Sequence, residues 1–221
     1  MTIKPIKYWP LIIMTGTIGT SVLFTILLKP SLHFHQKTVR IFKQKPSQPI
    51  LGQTNLNKEH TMTIHKNRYN LTYGLTTAPH HVVNFFDVNC EHCLTFYQST
   101  WPTIKKQFVD TGKLRFTFAP YPVHTETLLM MSCSEELDPV LYHILFECVM
   151  ETDHTTQDTL KTCMDVLHKP FRPPSATALK EALLLTQKHK FEALPMMFLD
   201  GQVITDEQLD NLVNFLEEHI R

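Results

Sequence analysis

The 221-residue sequence has only six glycines, no net charge and no second Cys-x-x-Cys. Each shortage excludes something. Twenty-one Lys and Arg residues balance 21 Asp and Glu residues, so the chain lacks the basic excess of a nucleic-acid or polyanion binder. Few glycines, no internal repeat and no low-complexity tract leave a packed globular protein with a membrane segment. The length suits one folded domain with extras, or a tight pair of small domains.

Charge is missing altogether from Trp9 to Leu28, which reads WPLIIMTGTIGTSVLFTILL. About 20 apolar residues cross a bilayer as a helix. Lys4 and Lys7 precede the run and Lys29 follows it. A cleaved signal peptide would end in a small-x-small site, and Ile26-Leu27-Leu28-Lys29-Pro30 offers none. Residues 1–29 are therefore expected to form an uncleaved signal anchor, with a cleaved peptide as the alternative. Lys29, Lys37, Arg40, Lys43 and Lys45 would draw the C-terminal side into the cytoplasm. Long domains translocate largely regardless of charge, so export of the following domain remains the expectation.

Residues 30–59 mix basic, polar and proline residues without a period and read as a linker. From His60 the pattern changes. Thr61–His65 and Asn70–Tyr73 read as short strands around Lys66-Asn67-Arg68, and Val82–Asp87 as a buried strand. A helical stretch runs from about Glu91 to Thr111, with a kink expected at Pro102 and a C-cap at Gly112. Lys113–Phe118 alternates as a strand. No strand candidate occurs between Val123 and Lys190; helical spacing marks Thr125–Cys133, Asp138–Glu151, Thr156–Leu167 and Ser175–His189. Met196–Leu199 reads as a strand, Asp200-Gly201 as a hairpin turn and Gln202–Ile204 as the return strand. Thr205 and Gln208 form a capping box for a last helix, Asp206–His219, buried along Leu209, Leu212, Val213 and Leu216. The order makes an α/β domain with a mixed sheet.

The stretch Asp87-Val88-Asn89-Cys90-Glu91-His92-Cys93 carries the chemistry. A tetrahedral zinc site needs four ligands, commonly two short Cys/His pairs. His92 lies between the cysteines and cannot easily chelate with both, and Cys133, Cys148 and Cys163 form no knuckle. A redox pair fits better. Cys90 sits where a strand ends and a helix begins, where unpaired N–H groups favour a thiolate. Cys93 lies one turn inside and can resolve a mixed disulfide. A protonated His92 would stabilise the Cys90 thiolate, and Glu91 would oppose it. The Met130-Met131 and Met196-Met197 pairs read as core fillers rather than copper ligands, and His80-His81 as a polar strand entry.

Cys-x-x-Cys after a strand, followed much later by Pro195 before a ββα unit, resembles the thioredoxin fold. The helical block between Phe118 and Pro195, with Phe85-Phe86, Trp101-Pro102 and Thr111-Gly112-Lys113-Leu114, is similar to the DsbA-like thiol–disulfide oxidoreductases. The resemblance implies a thioredoxin-like α/β fold over residues 60–122 and 191–221, with a helical insertion over 123–190. It implies a cis Pro195 facing Cys90, with Leu194-Pro195 pairing with an extended substrate peptide. Cys90 would be the nucleophile, Cys93 the resolving thiol and His92 its tuner, with no metal or organic cofactor.

It also implies a second disulfide in the helical block, matched to Cys133 and Cys163, with Cys148 left over. The family often has a buried acid at the sixth position before the first cysteine. Asn84 stands there, and Glu91 stands where strong oxidants often carry proline. The expected activity is exchange with cysteines of exported proteins, in the direction of disulfide formation, at the periplasmic face of a bacterial inner membrane. A redox partner would reset the pair. A reductase or isomerase on the same fold, a chaperone keeping a structural disulfide, and a metal-binding module are the alternatives.

Overall fold

The computed structural model describes residues 63–220. The expected anchor at residues 1–29 and the whole of the linker at 30–59 lie outside the described residues, as does the start of the first expected strand. Among the described residues, no helix is long and apolar enough to cross a membrane.

Six strands form one mixed sheet: β1 (Ile64–Asn67), β2 (Asn70–Tyr73), β3 (His80–Phe86), β4 (Leu114–Pro120), β5 (Met196–Leu199) and β6 (Gln202–Val203). Their spatial order is β1-β2-β4-β3-β5-β6. Only β3 and β4 run parallel, with Asn84 opposite Phe118 and Phe86 opposite Pro120. Such a pair needs a crossover, and the helical run after Cys90 supplies it.

That run has four consecutive pieces: α1 (Glu91–Thr95), a π-turn (Phe96–Thr100), α2 (Trp101–Ile104) and a second π-turn (Lys105–Val109). Proline removes a donor from the ladder and crowds the preceding turn. The widened turn absorbs this: Trp101 N–H reaches back to the Phe96 carbonyl, and Pro102 then sits in the first turn of α2. Gly112 (φ 77°) closes the run, with Lys113 N–H on the Phe108 carbonyl at 3.0 Å. The left-handed conformation there suits glycine.

Four helices follow: α3 (Thr125–Ser134), α4 (Pro139–Met150), α5 (Gln157–Val166) and α6 (Ala176–Lys188). Asp138 caps α4 through Val140 N–H and Leu141 N–H, both at 2.9 Å, with Pro139 in the first turn, where its missing N–H costs nothing. Asp200 (φ 50°) and Gly201 (φ 85°) supply the two left-handed residues of the β5–β6 hairpin. Thr205 and Gln208 form the expected capping box. The last helix is broken, however, into α7 (Asp206–Asp210) and α8 (Leu212–His219), because Asn211 leaves the helical region at φ −121° and ψ 37°. Leu212 and Leu216 are buried, and Leu209 and Val213 pack beside them.

The core joins sheet and helices through aromatic side chains. Phe118 at the centre of β4 packs on Tyr73, Phe86, Tyr97, Trp101, Phe116 and Phe146, with ring centroids 4.8–5.9 Å apart. These rings hold the C-terminal end of β3, and hence the Cys90 turn, against the helical run and α4.

Candidate active site

Cys90 is the N-cap of α1, with extended backbone (φ −78°, ψ 114°). Its sulfur accepts from Cys93 N–H at 3.4 Å, as a capping oxygen would. Its carbonyl accepts from Leu94 N–H at 3.0 Å. The two sulfurs live in different environments: Cys90 is half-buried, whereas Cys93 is 1% exposed. Only Cys90 is open to attack.

The electrostatics follow this asymmetry. The Cys93 thiol hydrogen bond pulls the Cys90 thiol down to about 6, helped by the N–H groups of Cys93 and His92. Burial and the charge of Asp87 work against that shift. Cys93 moves far up, first because of burial and then because its proton is engaged by Cys90. In the dithiol, the proton therefore stays on Cys93 and the negative charge on Cys90.

Leu194-Pro195 is a cis peptide at the entrance to β5. The Leu194 carbonyl accepts from the Cys90 thiol at 3.4 Å. The fold thus brings Cys90, Cys93, Leu194 and Pro195 together. His92 and Glu91 are exposed on the first turn of α1. His92 acts on Cys90 through its backbone N–H, and the nearby charge opposing the thiolate is that of Asp87.

Asn84 is 1% exposed, and neither of its side-chain polar atoms has a hydrogen-bond partner among the described residues. The family's usual buried acid thus has no titratable substitute at this position.

Two residues in the Asp87–Cys93 stretch hold the site in place, and sequence reasoning gave neither a role. Asn89 pairs twice with Thr155 in the loop between α4 and α5: Thr155 N–H donates to Asn89 Oδ1 at 2.8 Å, and Asn89 Nδ2 donates to the Thr155 carbonyl at 2.9 Å. Asp87 ties the end of β3 to the turn before α3, through Val123 N–H and His124 N–H, both at 2.8 Å. Their position beside the cysteine pair was the only signal.

The second disulfide corrects the expected pairing. Cys148 in α4 joins Cys163 in α5, with Cα atoms 6.0 Å apart. Cys133 in α3 is instead a free, buried thiol that points at the Arg172 carbonyl. The geometric reason is that α4 and α5 are consecutive packed helices, and their facing sides carry Cys148 and Cys163. The bond closes a loop across a sequence separation of 15. Removing it with Cys148→Ala should cost about 3 kcal/mol by the loop-entropy relation. Urea unfolding would show this as a lower midpoint; an unchanged midpoint would mean that helix packing alone holds α4 and α5.

Comparison with known proteins fits this geometry. A thioredoxin family model matches residues 66–218. Disulfide bond formation protein D of Bacillus subtilis is 26% identical over 168 residues, covering 67% of this chain and 76% of that protein. A putative protein-disulfide oxidoreductase of Rickettsia prowazekii is 20% identical over 147 residues, covering 59% of this chain and 54% of its own length. Among solved structures, oxidised BdbD from Bacillus subtilis superposes with a TM-score of 0.54 at 22% identity, covering 67% of this chain and 91% of that one. DsbA of Chlamydia trachomatis gives a TM-score of 0.50 at 20% identity, with coverage of 77% and 98%. The likeness to the BdbD and DsbA structures is one of fold, and the chain belongs to the thioredoxin family.

Proposed function

We propose that the protein introduces disulfides into exported proteins from the outer face of a bacterial cytoplasmic membrane, with Cys90 as the reacting sulfur. The observation that carries this reading is the asymmetry of the pair: a half-buried Cys90 held near 6 beside a buried, protonated Cys93. The apolar run Trp9–Leu28 supports an anchored, exported domain. The name of the Bacillus subtilis relative supports the direction.

In the oxidised protein, a substrate thiolate attacks Cys90 Sγ. The Cys90–Cys93 bond breaks, and Cys93 leaves with the electron pair and takes up a proton. A second substrate thiolate then attacks the substrate sulfur of the mixed disulfide. Cys90 leaves as a thiolate, and its low value makes it a good leaving group. The substrate gains one disulfide, and the pair gains two electrons. A redox partner removes them to complete the cycle. Leu194 and Pro195, beside Cys90, guide an extended substrate chain past the sulfur. His92 stabilises the Cys90 thiolate through its N–H.

The opposing charge of Asp87 favours a second reading, a reductase or isomerase on the same site. Mixing the oxidised full chain with a reduced two-cysteine peptide separates the two. Disulfide formation should reach the stoichiometry of the protein. Failure to transfer, with ready reduction of a disulfide peptide by the dithiol form, would favour the second reading.

A further inference from the structure

Asp87 is 0% exposed, the only carboxylate among the described residues buried to that degree. Its oxygens are fully engaged. Oδ1 accepts from Asn89 N–H at 2.9 Å and from His124 Nδ1 at 2.7 Å. Oδ2 accepts from Val123 N–H and His124 N–H. Cys90 N–H donates to the Asp87 carbonyl at 3.2 Å, so the carboxylate stands at the root of the turn that carries the sulfur. Cys93, on the same turn, is also buried, so little water screens the charge from the pair. The same charge acts against both thiolates. His124 differs from its partner: its ring is 49% exposed and can exchange protons with solvent.

We propose that the buried Asp87 and its exposed partner His124 tune the thiol–disulfide equilibrium of Cys90–Cys93, with the charge on Asp87 favouring the disulfide and a proton on His124 relieving that effect. Reduction of the pair adds two electrons and leaves negative charge on Cys90. A fixed carboxylate nearby opposes that charge. An imidazolium bonded to the carboxylate cancels part of the opposition. With a proton on His124 the protein is then the stronger disulfide donor. Asn84 cannot take such a role, because an amide does not titrate. The other titratable groups on the surrounding elements are Glu91 and His92 on α1, Tyr121 before α3, Glu126 at its start, Asp153 and His154 in the loop that carries Thr155, and Lys180, Glu181 and Lys188 on α6, which lines a pocket with His124. Of these, Glu126 reaches the site through Asn89 Nδ2, at 3.2 Å. Both proposed partners are positioning residues, and the inference rests on Cys90 being the reacting sulfur.

The test is the glutathione equilibrium of the full chain in detergent at pH 5.5 and pH 8, for the native protein and His124→Gln. The expected result is a variant about threefold less oxidising at pH 5.5, a change of roughly 15 mV for a two-electron couple, and indistinguishable at pH 8. Asp87→Asn should move the other way at pH 8, toward a stronger oxidant, and make the His124→Gln effect vanish. A His124→Gln effect that is absent, or equal at both pH values, overturns the proposal, because a merely structural contact would not follow the proton. His124→Gln decides the matter even if Asp87→Asn does not fold. Cys90→Ser is the separate control: if it still equilibrates with glutathione, the assignment of Cys90 fails rather than the tuning pair.

Discussion

Replacing Cys90 with serine should lower the rate of disulfide transfer on the order of 10³-fold or more, since a serine hydroxyl neither forms a disulfide nor ionises in this range. The fold should survive the change. Cys90 is the N-cap of α1, and serine is among the preferred residues at that position. Loss of activity would therefore report chemistry rather than unfolding. Cys93→Ser should behave differently. Its buried sulfur normally displaces a substrate from Cys90 when the mixed disulfide must be resolved. Without it, mixed disulfides between Cys90 and client proteins should accumulate, visible as adducts on non-reducing gels. A Cys90→Ser protein with full transfer activity would remove the pair from the mechanism.

The second large effect is in the pH dependence of alkylation. Iodoacetamide should react with Cys90 half-maximally near pH 6. Below that point the rate should fall about tenfold per pH unit, as for any group losing its ionised form. Cys93 should stay unreactive across the range while the protein is folded, because burial pushes its thiol far up and closes it to the reagent. The sign has a consequence for stability. The Cys90 thiol is lowered in the folded dithiol, so its thiolate stabilises that state fully above the ordinary thiol range. That contribution is lost as pH falls through about 6. The largest cause of the shift is the Cys93 hydrogen bond. Cys93→Ala should accordingly move the alkylation midpoint up, and Cys93→Ser should recover part of the loss. A midpoint near 8.5, the ordinary thiol value, would mean that the turn offers Cys90 no stabilisation.

Local chemistry made much of this molecule legible in the sequence. Met196–Leu199, the Asp200-Gly201 turn and the Thr205–Gln208 box each depend on residues within a few positions of one another, and each stands where expected. The strand before Cys90 and the helix after it were legible for the same reason. The second disulfide was not. Three helical cysteines are equally plausible by spacing, and the pairing depends on which helix faces turn together. Resemblance selected Cys133 and Cys163, whereas the packing of α4 on α5 joined Cys148 to Cys163. The partnership of Asp87 with His124 spans a sequence separation of 37, and that of Asn89 with Thr155 spans 66. No local pattern announces such contacts. The π-turns before and after α2 were not foreseen, because a widened turn leaves no local sequence pattern beyond Pro102, which stands just after the first of them.

The reduction potential of the Cys90–Cys93 couple, measured on the full chain equilibrated with glutathione at pH 7, tests the central claim most directly. A Cys90 thiol near 6 lies between those of thioredoxin, about 7, and DsbA, about 3.5. The potential should therefore fall between roughly −120 and −230 mV, where the disulfide can be passed on to exported substrates. A value of about −250 mV or below, in the thioredoxin range, would contradict the account and make the same residues those of a reductase.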